Sequence, residues 1–271
     1  MVEDVDRYKF VEPGALQHGE LEVEPDDVIA NLPYRSGCAM WFDHHVSNRI
    51  DEDFHGSWWI APSAARVIYE YYSDERLKEY EELVEITDRI DSASLTMEEQ
   101  RDPRGYILVS MTVSGKAPWD EKYCLRLIEL LRQNDLAGLM ADEMVKENCD
   151  QYTELNNEFG EVIGLYSDME DNVLVTDFRH RWSGKQGNRF LAFTLFPECD
   201  IWVKIMDHPQ EKNLCVISVG HNIFNRTNPV NAGKLLTKYG GGGHKGAGGC
   251  RVENNFADKV LREIIDACKH T

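Results

Sequence analysis

No stretch of this sequence approaches the run of about 18 apolar residues that a membrane-crossing helix needs, so no transmembrane helix is expected and no membrane partner. Cysteine is sparse and unpatterned: there are seven, an odd number, and none sit at metal-finger spacing. Neither a disulfide framework nor a zinc finger is therefore expected, and a reduced, cytoplasmic location fits best. Positive charge is the scarcest commodity. Lysine and arginine total 29 against 48 aspartates and glutamates, a formal net charge of −19. A protein that wraps long nucleic acid carries a broad basic face, and this chain cannot build one. A small phosphorylated ligand stays open, because a few local cations and a metal ion overcome a global field. The first six residues are acidic, which is the wrong charge for a signal peptide.

The chain does contain enough to fill cores. Apolar residues make up 42% of its 271 positions, enough for two modest domains. Residues 1–117 read as an α/β unit, with short apolar runs at 28–30 and 38–42 as strands and a helix over 62–72 that starts at Pro62. A helical period continues through 75–90. Residues 118–161 read as a helical linker with an amphipathic pattern. Residues 162–271 read as a smaller α+β unit, with strands at 173–175, 190–196, 201–205, 215–219 and 250–252, a short helix over 232–239 and a terminal helix over 256–268.

Two segments carry chemistry. Asp43-His44-His45 closes an apolar stretch. In open α/β sheets ligands gather at the carboxyl ends of strands, and Asn31 also stands at such an end. Imidazole and carboxylate together suit Mn, Fe, Co or Zn. Neighbouring residues on a strand point to opposite faces, so one histidine is expected to be a ligand and the other to touch phosphate or a supporting carboxylate. Asp88 and Asp91 follow a helical stretch three residues apart, so either could complete the metal site.

The second segment is the tetraglycine Gly240-Gly241-Gly242-Gly243 followed by His244. Four consecutive glycines are costly to order, and close backbone approach to an anion justifies them better than a linker does. His244 would donate to a phosphate oxygen. Arg226, within Asn225-Arg226-Thr227-Asn228, would grip phosphate with its forked guanidinium, and Arg189 is a further contact.

These residues resemble the DHH phosphoesterase superfamily with its C-terminal DHHA1 domain. Asp43-His44-His45 is similar to the namesake motif, Gly240 to His244 to the glycine-rich DHHA1 motif, and residues 31–34 with 62–66 to an exopolyphosphatase-related branch. The resemblance implies two domains facing each other across a cleft. It makes His44, Asp88 and Asp43 the metal set, with Asp91 the weaker alternative to Asp88, for Mn2+ or another divalent ion such as Mg2+ or Co2+. His45, Arg226 and His244 become the catalytic groups, and Arg226, Gly241, Gly242, Gly243 and His244 the substrate grip. Two departures matter. The family's first motif, an Asp-x-Asp after the first strand, has no counterpart, since Asp4-Val5-Asp6 fits the letters but lacks a preceding apolar strand. A missing first strand is therefore expected, with self-association as its consequence and a homodimer as one form. Asn31 also stands where a metal-bridging aspartate is usual.

The function expected is a metal-dependent phosphohydrolase or phosphodiesterase that uses metal-activated water on a short oligonucleotide, nucleotide or polyphosphate. The alternative is a catalytically impaired nucleotide- or phosphate-binding protein. A nucleic-acid-binding protein with a structural metal fits the charge least well.

Overall fold

The computed structural model describes residues 5–113, 120–182 and 186–269. The architecture is two-domain α/β, an N-terminal parallel sheet and a separate mixed sheet. Residues up to Leu95 with Arg104–Cys149 form one compact unit, and Thr96–Pro103 with residues from Asp150 onward form the other. The expected linker is divided between them at Cys149 and Asp150.

In chain order the first unit opens with a short helix, α1 (Pro13–Gln17), then β1 (Val28–Ala30), β2 (Met40–Asp43) and β3 (Gly56–Trp58). The three strands are parallel, in the order β1-β2-β3. All four residues of central β2 are buried, which is why it reads as an uninterrupted apolar run that ends in a charge. Trp41 packs edge-on against Phe54 at 4.8 Å and donates its indole N–H to the Leu32 carbonyl at 2.8 Å, so its polar edge is satisfied while its rings are buried.

Helix α2 (Ala64–Tyr72) starts where Ser63 Oγ accepts from the Arg66 N–H, and it stops at left-handed Ser73. The expected helix over 75–90 is a 3-10 turn over Glu75–Tyr80 followed by α3 (Glu81–Asp91). Next come α4 (Met97–Arg101), which belongs to the second unit, then α5 (Gly105–Val113), α6 (Glu121–Leu131) and α7 (Leu136–Ala141) of the first. The long helix α8 (Glu143–Tyr166) begins in the first unit and ends in the second.

The second unit is built on β4 (Ser167–Glu170), β5 (Val173–Asp177), β6 (Ile201–Asp207), β7 (Leu214–His221), β8 (Gly242–His244) and β9 (Ala247–Glu253). Their order is β4-β5-β6-β7-β9-β8, and only β5 and β6 run parallel. This sheet has six strands against three in the N-terminal one, so the expectation of a smaller second domain does not extend to its sheet. One face packs Val203, Ile205 and Ile217 against α10 (Ala232–Leu236) and α11 (Asn254–Cys268). The other packs Leu174 and Trp202 against α8 and α9 (Leu191–Leu195). Residues 190–196 are thus not the expected strand. A short, continuous apolar run does not distinguish a buried strand from a buried helix, and here Leu191 to Thr194 are buried all round a helical turn. Among the described residues no helix is long and apolar enough to cross a membrane.

Candidate functional site

The strand ends at Asp43, and that changes what the two histidines can do. The sheet pairing stops there although His45 stays extended (φ −72°, ψ 127°), and the two rings lie 4.3 Å apart, edge to face. Asp43, His44 and His45 each bring one ligand atom within 4.8 Å of the others.

Asp43 is fully buried and organises the turn. Its Oδ1 accepts the His44 backbone N–H at 2.8 Å and the His45 ring Nδ1–H at 2.7 Å, and its Oδ2 accepts from Asn48 Nδ2 at 2.6 Å. A carboxylate so bonded fixes the tautomer of His45 and leaves Nε2 of that half-exposed ring as the reactive nitrogen. The Trp58 indole donates to the His45 carbonyl at 3.1 Å and holds the same turn from β3.

His44 is held differently. Its Nδ1–H donates to the Ala61 carbonyl at 3.0 Å, so in the neutral ring Nε2 carries a lone pair. That buried Nε2 has no hydrogen-bond partner, yet Asp91 Oδ2 lies 3.1 Å away, out of line for a hydrogen bond. Two electron-pair donors converge here, a buried ring nitrogen and the carboxylate of an exposed residue, and a cation between them would satisfy both. Burial pushes the Asp91 carboxyl up, the charges of Asp43 and Asp88 reinforce this, and a proton on His44 or His45 would oppose it. The donor set of imidazole and carboxylate therefore fits a divalent first-row metal.

Asp88 shares the helical face of Asp91 but is turned to other work. It accepts from Ser63 Oγ at 2.6 Å and from the Arg66 guanidinium at 2.7 and 2.8 Å, which pins the start of α2 to α3. The structure thus brings His44, His45, Asp43 and Asp91 together, with Asp88 occupied by Arg66. Asn31, in a left-handed conformation at φ 60°, follows β1 and donates its backbone N–H to the Phe42 carbonyl.

The second unit holds a cavity of about 640 Å³, and Arg226, His244 and Arg189 all line it. Arg226 sits at φ 49° in a loop tied down by Asn225 and Thr227, which both donate to Asp200 Oδ1, and by Asn228, which donates to the Cys268 carbonyl at 2.9 Å. Its Nε donates only to the Ile223 carbonyl in its own loop, and among the described residues no carboxylate pairs with it. Arg189 lies over the Phe190 ring at 4.7 Å.

The glycines divide. A Cβ on Gly241 would meet the Gly249 carbonyl oxygen at 2.2 Å, and one on Gly243, at φ 143°, the Ala247 carbonyl oxygen at 2.3 Å. These two serve the tight pairing of β8 on β9, whereas Gly242 faces open space. None of the three lines the cavity, but His244, Lys245, Gly246 and Gly248 do.

Sequence reasoning passed over Lys204 and His221, which also line this cavity. Burial lowers the Lys204 ammonium to about 8 and pushes the His221 imidazole down as well. A lysine inside the apolar strand Ile201-Trp202-Val203-Lys204-Ile205 was the available signal.

The chain thus combines an α/β unit that carries a candidate metal cluster at a strand end with a mixed-sheet unit that holds a cationic cavity. No family model matches the sequence, and no curated protein matches it. Among solved structures, the chain is similar to the pGpG-specific phosphodiesterase PggH from Vibrio cholerae. Identity is 30%, coverage is 97% of this chain and 90% of that one, and the TM-score is 0.86. The chain belongs to the DHH/DHHA1-type phosphodiesterase superfamily. Weaker similarities, which carry no argument, are to an exopolyphosphatase-related protein from Bacteroides fragilis (13% identity, 85% and 65% coverage, TM-score 0.43) and to manganese-bound exonuclease RecJ (16%, 85% and 69%, 0.40).

Proposed function

We propose that this protein is a metal-dependent phosphodiesterase that cleaves a short linear dinucleotide of the pGpG type. The observation that carries the reading is the convergence of His44 Nε2 and Asp91 Oδ2, 3.1 Å apart without a hydrogen bond, beside buried Asp43. His44, Asp91 and Asp43 would hold the ion, with Mn2+ the first to try and Mg2+ and Co2+ next. Asp88, the ligand that the family resemblance favours, is the weaker choice because Arg66 neutralises it. A divalent ion lowers the pKa of water it binds and so supplies hydroxide near neutral pH.

The chain's own residues do the rest. Asp43 accepts the His45 Nδ1–H, so His45 Nε2 is presented to take or give a proton. Arg226 and His244 hold phosphoryl oxygens and stabilise charge that grows on them during displacement. The 90% coverage of a dinucleotide-specific relative supports a short substrate, and the acidic balance of −19 argues against long strands.

Hydrolysis of pGpG and of bis(p-nitrophenyl) phosphate, followed across a Mn2+ titration, tests the reading. Metal-dependent turnover in the wild type that is lost in His44→Ala is the expected result. The second reading, a binding protein without turnover, is favoured by Asn31, whose neutral amide stands where a bridging carboxylate is usual. Tight pGpG binding with no hydrolysis at any metal concentration would select it.

A further inference from the structure

Strand β6 carries a charge where none is expected. Lys204 alternates with Val203 and Ile205, so it lies on the sheet face that also presents Trp202. Its Nζ stands over the Trp202 ring at 4.7 Å and donates to Gln186 Oε1 at 2.5 Å. An ammonium has three N–H donors, and among the described residues Gln186 is the one acceptor. Among the described residues no carboxylate pairs with it, and burial accounts for its lowered basicity. A half-buried cation that no carboxylate pairs among the described residues is costly to hold, and a ligand that completes it offsets that cost.

The register supplies the rest of the seat. Lys204 stands opposite Ser218 on β7, Trp202 stands opposite Gly220, and Gly220 in turn faces Ala247 on β9. The strip beside Trp202 and Lys204 is therefore floored by Ser218, Gly220 and Ala247, all small. Gly220 is not needed for the fold, since a Cβ there would have no heavy atom within 4 Å. A glycine inside a strand with open space above it marks where something else approaches the backbone.

We propose that Lys204 is a specificity-determining residue that reads the keto edge of a guanine base seated on the Ser218–Gly220–Ala247 strip beside Trp202. This inference rests on the dinucleotide reading above. A base suits the place better than a phosphate does. Aromatic rings flank it, Gln186 and Ser218 are the neutral polar groups beside Lys204, and the exposed groups that suit phosphate, Arg226 and His244, are already accounted for. Lysine donates to guanine O6 and N7, whereas adenine turns an amino donor toward the ammonium. Guanine over adenine is the discrimination that this geometry builds.

The test is equilibrium binding by calorimetry, without divalent metal so that no turnover intervenes, of pGpG, pApA and inorganic phosphate. The wild type is expected to prefer pGpG over pApA by about tenfold or more, the scale of one good base contact. Lys204→Met should remove that preference by weakening pGpG alone, leaving pApA and inorganic phosphate within about twofold, with thermal melting confirming the fold. Gly220→Val fills the seat without touching a charge, and it should weaken both dinucleotides while sparing inorganic phosphate. Equal loss of all three ligands in Lys204→Met would make Lys204 a phosphate cation and overturn the proposal. So would a wild type that binds both dinucleotides equally, or a Gly220→Val that binds them normally. A wild type that binds neither dinucleotide nor phosphate would sink the ligand-site reading of the second unit along with it.

Discussion

The strand end of the first unit and the cavity of the second are opposite kinds of incompleteness. Around His44 the chain assembles electron-pair donors, with an imidazole nitrogen facing a carboxylate oxygen at 3.1 Å and no proton in line between them. Around Lys204 and Arg226 it assembles N–H donors that no carboxylate among the described residues receives. Folding alone would have paired these groups, as it paired Asp88 with Arg66 at 2.7 Å. On the function and the base contact proposed above, what each region is short of corresponds to a different ligand: a cation in one, an anion and an electron-rich ring edge in the other.

Breaking the comparison at its strongest point should give the largest effect. His44→Ala removes the nitrogen that faces Asp91, and Mn2+-dependent hydrolysis is expected to fall by at least about 100-fold. Binding of inorganic phosphate, which the proposed function assigns to the second unit, should stay within about twofold by calorimetry. A parallel loss of both would show that the two regions are not separable.

Asp88 and Asp91 sharpen it next. Asp88→Asn leaves the Arg66 charge mostly buried and unpaired, and should cost about 3 kcal/mol in urea unfolding. Asp91→Asn should cost little stability but raise the Mn2+ concentration needed for half-maximal activity by at least about tenfold. The opposite pattern would return Asp88 to the metal.

Within the glycine run, Gly243→Ala collides with the Ala247 carbonyl at a φ that alanine rarely adopts, and should destabilise by about 2 kcal/mol or more. Gly242→Ala points into open space and should change the unfolding midpoint little. Equal effects would mean that the hairpin is not what these glycines serve.

The smallest effect runs the other way. Lys204 titrates near 8 in the folded chain against 10.5 ordinarily, so between those values the unfolded chain binds the proton that the folded one has released. Wild-type stability should therefore rise as pH climbs from about 8 toward 10. Lys204→Met should lack that rise and be more stable at pH 7 by about 1 kcal/mol, a stability gain coupled to lost ligand recognition. Melting curves at both pH values decide it.

Much of this was legible in the residues. An apolar run ending in Asp43-His44-His45 announces a buried strand with ligands at its carboxyl end, and β2 is that strand. Arg226 and His244, which lie on either side of a short helix in the sequence, were expected on one ligand, and both line one cavity. The choice between Asp88 and Asp91 was not legible, because a three-residue spacing puts both on one helical face and only the packing of α2 decides which one meets Arg66. Nor could the glycines be sorted, since whether a Cβ meets a carbonyl or open space depends on β8 folding back on β9. Lys204 was visible as a charge in an apolar strand, but its meaning needed the register that sets Ser218 and Gly220 beside it.

Asn228 gives the cavity a distant dependency. Its amide reaches the carbonyl of Cys268, in the last turn of α11, which packs on the opposite face of the sheet from Trp202. The loop that carries Arg226 is thus latched to the end of a helix none of whose residues lines the cavity. Fraying of that final turn, by a fused tag or by a helix-breaking substitution near Cys268, would loosen Arg226 from across the sheet and register as weaker phosphate capture in a protein whose strands remain intact.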